Sequence, residues 1–299
     1  MNTKPLIELP LLAAIWGASF LFMKVGVPEF GAFFYMALRT SIALIFLFFI
    51  LAIKKQVHTL TQDKWHLFVV GTLNTAIPFV LFGWATLTLT ASTTSVLNST
   101  VPMFGALVAV VWLKDSLLKS QVLGLLIGFI GVYVLMMDKL HYKQATFLLP
   151  TLAVLGATLC YGIGANYSKR YLSHLKPLTL ATGSQLSATI TLLPIGLCFL
   201  PAHVPSQEAI LSVLVIGLLC TGFAYLLFFR LINSLGPTKA VSVTYLIPVF
   251  GILWGNLFLQ EEITFTMLSG CTLIAVGVAL TTGMLKRFTA KKIKPEITV

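Results

Sequence analysis

The sequence predicts an all-α integral membrane protein: ten transmembrane helices, arranged as two five-helix repeats inserted in opposite senses. Three observations predict it. Of the 299 residues, 58% are hydrophobic and only 10% are charged, against roughly a quarter charged in a soluble domain. Apolar runs recur from end to end, and about 20 such residues suffice to cross a bilayer as a helix. The stretch from Leu67 to Val132, moved forward by 146 positions, falls on Val213 to Val278 without a gap.

That overlay reaches Gly and Pro as well as Leu. Gly71 lands on Gly217, Thr75 on Thr221 and Leu81-Phe82 on Leu227-Phe228. Pro102-x-Phe104-Gly105 lands on Pro248-x-Phe250-Gly251, Asp115 on Glu261, Gly124 on Gly270 and Gly131-Val132 on Gly277-Val278. Shared apolar composition does not produce such a register, so a structural unit has been duplicated. The runs are continuous and not short alternating segments, which implies helices and excludes a membrane barrel.

The first span, roughly 9–27, holds Trp16-Gly17, Ser19 and Phe20. Lys4 precedes it, but no small-x-small cleavage site follows and nine more spans come after, so it is read as a helix and not a leader. Span 2 (32–53) holds Phe34 and Arg39, and span 3 (65–88) holds Asn74, Thr75, Pro78, Phe79 and Trp84. Span 4 (93–113) holds Ser95, Asn98, Ser99 and Pro102, and span 5 (120–137) holds Gly124-x-x-x-Gly128. Span 6 (148–167) holds Tyr161-Gly162 and Asn166, span 7 (178–200) Gln185, and span 8 (209–232) Tyr225. Span 9 (240–259) holds Thr244, Tyr245, Pro248 and Gly251-x-x-x-Gly255, and span 10 covers 265–285. The first repeat is placed at 1–140, the second at 146–288 and a basic tail at 289–299. The links are short and hold no soluble domain.

Charge gives the orientation. With the N-terminus in the cytoplasm, sixteen Lys and Arg fall on inside segments, against three outside, Lys24, Lys139 and Lys143, with Arg39 left within a span. Inside-positive bias sets topology, so both termini are expected in the cytoplasm of a multi-pass plasma-membrane protein, the inner membrane in a bacterium. The net charge of +11 does not imply nucleic acid, because the basic residues sit between apolar runs and not on a water-facing surface. Five helices per repeat is an odd number, so the second repeat enters from the opposite side. Inverted repeats are a recurring plan of secondary transporters, with the site between the halves.

Trp16-Gly17 echoed by Tyr161-Gly162, Phe34 and Arg39 in span 2, Pro-x-Phe in spans 4 and 9, and the closing Lys114-Asp115 and Gln260-Glu261 together resemble the EamA-type transporters of the drug/metabolite transporter superfamily. The resemblance covers essentially the whole chain. It implies ten helices in two inverted repeats, cytoplasmic termini, and transport of small metabolites, often export of amino acids or related compounds. It also implies that spans 1–4 and 6–9 line a central cavity, with 5 and 10 to one side. The acid closing the fourth helix of each repeat is commonly Glu preceded by Gly in that family; here Asp115 follows Lys114 and Glu261 follows Gln260.

Twelve residues are candidates for substrate binding: Trp16, Ser19, Phe20, Arg39, Asn74, Pro78, Phe79, Asn98, Tyr161, Gln185, Tyr225 and Tyr245. Arg39 lies about 10 Å deep at 1.5 Å per residue, where a charge faces the protein interior or a wet cavity. All nine acids fall at span ends or in links, so it has no obvious mate. It either holds an anionic group of the substrate or serves as a structural Arg bonded to carbonyls or snorkelling outward. Its partner under the 146-position shift is Gln185. Asn74 and Pro78 share a face, four residues apart. Prolines free a carbonyl one turn earlier, which membranes tolerate beside a cavity; interhelical bonding is the plainer use of the polar groups. Trp16, Phe20, Phe79, Tyr161 and Tyr225 suit a mostly apolar pocket, or else lipid contact, as Trp65 does.

The four cysteines all lie in apolar runs with no C-x-x-C pair, and no metal site is expected. No Walker A motif, H-E-x-x-H or G-x-S-x-G is present, so neither direct ATP drive, nor a cofactor, nor an enzyme is expected. No Asp or Glu sits mid-span to relay protons. The expected partners are a small-molecule substrate and the lipid bilayer; the glycine spacings serve packing within the chain or a homodimer contact. A looser, aromatic-lined efflux protein for toxic compounds and a non-transporting membrane protein stay open beside the metabolite exporter.

Overall fold

The computed structural model describes residues 4–236 and 240–283, with side chains left undescribed at 4–6, 138–145 and 241. Among the described residues the chain is helical and contains no strand. Eight helices are long and apolar enough to cross a membrane, and two further apolar helices, Ile247–Leu259 and Phe265–Thr281, are shorter. The protein is a multi-pass membrane protein.

The chain begins with α1 (Lys4–Phe30) and α2 (Ala32–Ile53), which are separated by Gly31 at φ 74°. A left-handed residue between two helices costs a side chain dearly, and Gly has none. The third predicted span is one rod in three pieces: α3 (Lys64–Gly71), a π-helical turn Thr72–Ala76, and α4 (Ile77–Thr86). Pro78 explains the turn, since it offers no N–H to the carbonyl one turn earlier. The fourth span breaks into α5 (Ala91–Asn98) and α6 (Val101–Leu113), with Pro102 in the first turn of α6.

The next run, α7 (Lys119–Tyr171), is helical throughout but is not straight. Phe129 stacks edge-on to Phe104, while Gly162 lies against Phe104 and Gly105. Residues 129 and 162 of a straight helix would stand about 50 Å apart, so the run doubles back. It supplies two of the eight candidate spans, Lys119–Met137 and Thr146–Tyr171.

After α8 (Pro177–Leu197), the eighth predicted span again divides: α9 (Gln207–Gly217), a π-helical turn Leu218–Phe223, and α10 (Ala224–Leu235). No proline follows this second turn. Instead the Thr221 hydroxyl donates to Ile216 O at 2.8 Å, five residues back, and so serves a carbonyl that the bulge sets free. A 3-10 turn Val241–Tyr245 then leads into α11 (Ile247–Leu259), which is followed by α12 (Phe265–Thr281).

Packing rests on small residues. In α7, Gly124 and Gly128 face Gly277 of α12, and Gly270 of α12 faces Leu135. Gly251 and Gly255 of α11 face Ser95 and Ser92 of α5. Both G-x-x-x-G spacings are thus occupied within the chain, where they let backbones approach closely. The reciprocal contact of Gly17 with Phe250 and Gly251, and of Gly162 with Phe104 and Gly105, brings α1 onto α11 and the second arm of α7 onto α6.

Candidate functional site

A cavity of about 330 Å³ lies among α1, α2, the two π-turn rods, the second arm of α7 and the start of α6 and α11. That is the low end of the range for small-molecule sites. Its wall includes Trp16, Ser19, Phe20, Arg39, Asn74, Phe79, Asn98, Tyr161 and Tyr225, nine of the twelve sequence candidates.

The other three lie elsewhere. Pro78 is buried in the first turn of α4. Tyr245 donates its hydroxyl to Thr282 Oγ1 at 2.8 Å. Gln185 is fully buried, and neither atom of its amide finds a hydrogen-bond partner among the described residues. Gln185 is also not the counterpart of Arg39. Gly217 packs on the backbone of Arg39 and on Ile42, and Gly71 packs on Ser184 and Ser187. The contacts therefore relate Arg39 to Ser184, a shift of 145, and Gly17 is related to Gly162 by the same shift. The 146-position register holds from Leu67 onward but not before the link at 54–63, across which the two halves differ by one residue.

With that correction the wall resolves into pairs of related positions. They are Trp16 and Tyr161, Phe20 and Ala165, Asn74 and Cys220, Phe79 and Tyr225, Phe82 and Phe228, Asn98 and Thr244, and Val101 and Ile247. Of these, Phe82, Val101, Ala165, Cys220, Phe228, Thr244 and Ile247 were not sequence candidates. The shift applied to each candidate in turn reaches three of them, Ala165, Cys220 and Thr244; the Phe82–Phe228 and Val101–Ile247 pairs contain no candidate.

Four lining residues have no related partner in the wall: Ser19, Met23, Arg39 and Thr221. They form one corner. Arg39, 6% exposed, donates through Nε to Thr221 Oγ1 at 3.0 Å and points Nη1 at Met23 Sδ, 3.9 Å away. Its guanidinium carbon lies 3.7 Å above the Phe79 ring, a cation–π contact. The π-helical turn presents the Thr221 hydroxyl to Arg39, because its own proton is committed to Ile216 O. No carboxylate among the described residues pairs with Arg39; the ion pairs seen are Asp63 with His66 and His174, and Glu8 with Arg230.

The rest of the wall is aromatic. Trp16 lies 5.3 Å from Phe228, and Phe82 lies 5.8 Å from both Phe20 and Tyr161. Asn74 and Asn98 make no side-chain hydrogen bond to described residues, leaving two amides free at the cavity. Asn166, by contrast, donates to Gly105 O and Gly162 O at 3.0 and 2.9 Å and so holds α7 to α6. Among the described residues this is an apolar box with a cation that no carboxylate pairs and two amides without a side-chain hydrogen bond, which can bind and orient an amphipathic anion. Among the described residues no His, Cys, Asp and Glu cluster could hold a metal ion.

One end of the bundle is clamped. Lys24 Nζ donates to Thr86 O at 2.7 Å and Leu89 O at 3.1 Å. Glu261 accepts from Ala91 N at 2.7 Å, Ser92 N at 2.9 Å and the Ser92 hydroxyl, capping the N-terminus of α5 where the helix dipole favours a negative charge. The related groups at the other end, Lys169 and Asp115, are exposed, and Lys169 makes no hydrogen bond to described residues. The contacts of Asp115 related to those of Glu261 would involve 237 and 238, which lie outside the described residues.

Comparison with known proteins agrees with this architecture. The EamA-like transporter family matches residues 6–137 and again 148–283. An uncharacterized transporter of Bacillus subtilis (strain 168) is 26% identical over 271 residues, which cover 90% of this chain and 93% of the relative. A probable amino-acid metabolite efflux pump of Salmonella typhimurium is 23% identical over 281 residues, covering 90% and 91%. A solved crystal structure aligns with a TM-score of 0.68 at 17% identity, over 96% of this chain and 100% of its own, and so shares the fold. Matched twice over nearly its whole length, the chain belongs to the EamA-like transporter family.

Proposed function

We propose that this chain is a secondary transporter, acting as an exporter, of small organic metabolites that carry a carboxylate, a class that includes amino acids and related compounds. Two five-helix repeats, 1–140 and 146–288, would insert in opposite senses as ten crossings and rock about the cavity between them. The double family match and the reciprocal Gly17 and Gly162 contacts support the inverted arrangement. The clamp at one end, with Lys169 and Asp115 exposed at the other, supports access from one side at a time. The inside-positive bias supports cytoplasmic termini, as expected of a transporter in the plasma membrane.

One observation carries the reading: the cavity wall is built of related pairs except at the corner that holds Arg39. A charge buried without a counter-ion is costly and is normally matched by something. Here the missing partner is the substrate's carboxylate. The name of the Salmonella relative, an amino-acid metabolite efflux pump, supports the class. Counterflow in proteoliposomes tests it: vesicles loaded with unlabelled carboxylate metabolites should accumulate trace label, because a carrier exchanges across the bilayer. Equal uptake in protein-free vesicles across a carboxylate panel would defeat the reading.

A further inference from the structure

We infer that the Arg39 corner selects carboxylates that bear no ammonium on the adjacent carbon, so that a des-amino acid is carried in preference to the matching α-amino acid. The inference rests on the reading that Arg39 anchors the carboxylate and narrows the substrate class within it.

In an α-amino acid the nitrogen is held about 2.5 Å from the carboxyl carbon by covalent geometry. Wherever Arg39 takes the carboxylate, the ammonium must therefore sit in the same corner. Most groups there are already engaged; the exception is the Ser19 hydroxyl, which has no hydrogen-bond partner among the described residues, and a single neutral hydroxyl does not repay the water an ammonium gives up. The Thr221 hydroxyl gives its proton to Ile216 O and one lone pair to Arg39 Nε. The face of Phe79, which could otherwise hold a cation, lies under the guanidinium at 3.7 Å. Met23 offers a thioether, a weak acceptor. Among the described residues the wall contains no Asp or Glu. An α-ammonium would lose its water, meet the like charge of Arg39 and gain no carboxylate in return. A hydrogen, hydroxyl or oxo group on that carbon carries no such penalty, and the aromatic box accepts the same apolar body in either case.

The matched pair that tests this is 3-phenylpropionate and L-phenylalanine, which differ only in the α-ammonium, with phenethylamine as the amine lacking a carboxylate. Full-length protein in proteoliposomes is assayed by counterflow of radiolabelled 3-phenylpropionate and of radiolabelled L-phenylalanine. The expected result is a half-saturating concentration at least tenfold lower for 3-phenylpropionate, and no inhibition by phenethylamine. In Arg39→Gln the gap between the acid and the amino acid should shrink several-fold, since the like charge is gone. L-Phenylalanine exchanged as well as or better than the acid would overturn the selectivity while leaving the carboxylate carrier standing. Exchange of neither compound, nor of any other carboxylate in the panel, would overturn both. A thermal-shift titration of the same purified protein with both compounds gives a second readout, in which the acid should raise the midpoint at lower concentration.

Discussion

Arg39 is held by weak contacts: one neutral hydroxyl, one thioether and one ring face. None repays the removal of a guanidinium from water, and a buried charge replaced by an uncharged group of similar size is often neutral or stabilising. A residue kept for the fold would behave otherwise. Arg39→Gln is therefore predicted to leave the thermal midpoint in detergent unchanged or raised, while the half-saturating concentration for a carboxylate in counterflow rises about ten- to a hundredfold, the worth of one charge-assisted hydrogen bond. A fall in the midpoint with unaltered exchange would return Arg39 to a structural role. Thr221→Val keeps shape and removes the acceptor that aims the guanidinium. Its loss should weaken exchange about tenfold without abolishing it, as expected for a hydrogen bond to a charged group of about 1.5 kcal/mol.

At the scale of the helix, strain and close approach set the predictions. Lys114 and Gln260, 146 positions apart, both end their helices in the left-handed region, at φ 57° and 54°. A side chain there costs roughly 1–2 kcal/mol, partly offset for Gly by its larger loss of chain entropy. This gives a physical reason for the Gly that commonly precedes the acid in the resembling family, and Gln260→Gly should gain about 0.5–1 kcal/mol in thermal unfolding. Close approach predicts the reverse. A Cβ at Gly162 would stand 2.9 Å from the backbone of Phe104 and Gly105, whereas one at Gly105 meets nothing within 4 Å. Gly162→Val should cost about 1–3 kcal/mol, and Gly105→Ala should stay within about 0.5 kcal/mol. Much at this scale was legible beforehand. The apolar runs located the helices, and Pro78, Pro102 and Pro248 marked three of the breaks. The π-helical turn at Leu218–Phe223 was not legible, because no proline follows it and its carbonyl is served by the Thr221 hydroxyl. For the same reason Thr221 was missed at the site while Arg39, conspicuous as a charge in an apolar run, was found. Gln185 was misplaced because one residue of difference in a link rotates every helical position before it by about 100°.

Across the whole molecule, the clamp supplies a two-state argument. Lys24 and Glu261 hold the tip between α4 and α5, and Leu89 at that tip is fully buried. If the halves exchange shapes, the conformer that frees this tip is the one in which Lys169, the position related to Lys24 by the 145-residue shift, engages the tip after α10. Weakening one clamp must then raise the population of the other conformer, and weakening the second must lower it, since each substitution acts on only one state. A Leu89→Cys probe in a background lacking Cys160, Cys198, Cys220 and Cys271 reports the balance, because it reacts with a maleimide only when the tip is released. Glu261→Gln keeps the shape and removes the charge that the α5 N-terminus and the Ser92 hydroxyl hold. Loss of about 1.4 kcal/mol there shifts the equilibrium tenfold, so labelling of the probe should speed up by about that factor. Lys169→Met should slow it below the parent rate. Two substitutions that both accelerate labelling would mean general loosening instead of exchange between two shapes, whereas opposite signs require that the two ends compete for one set of helices.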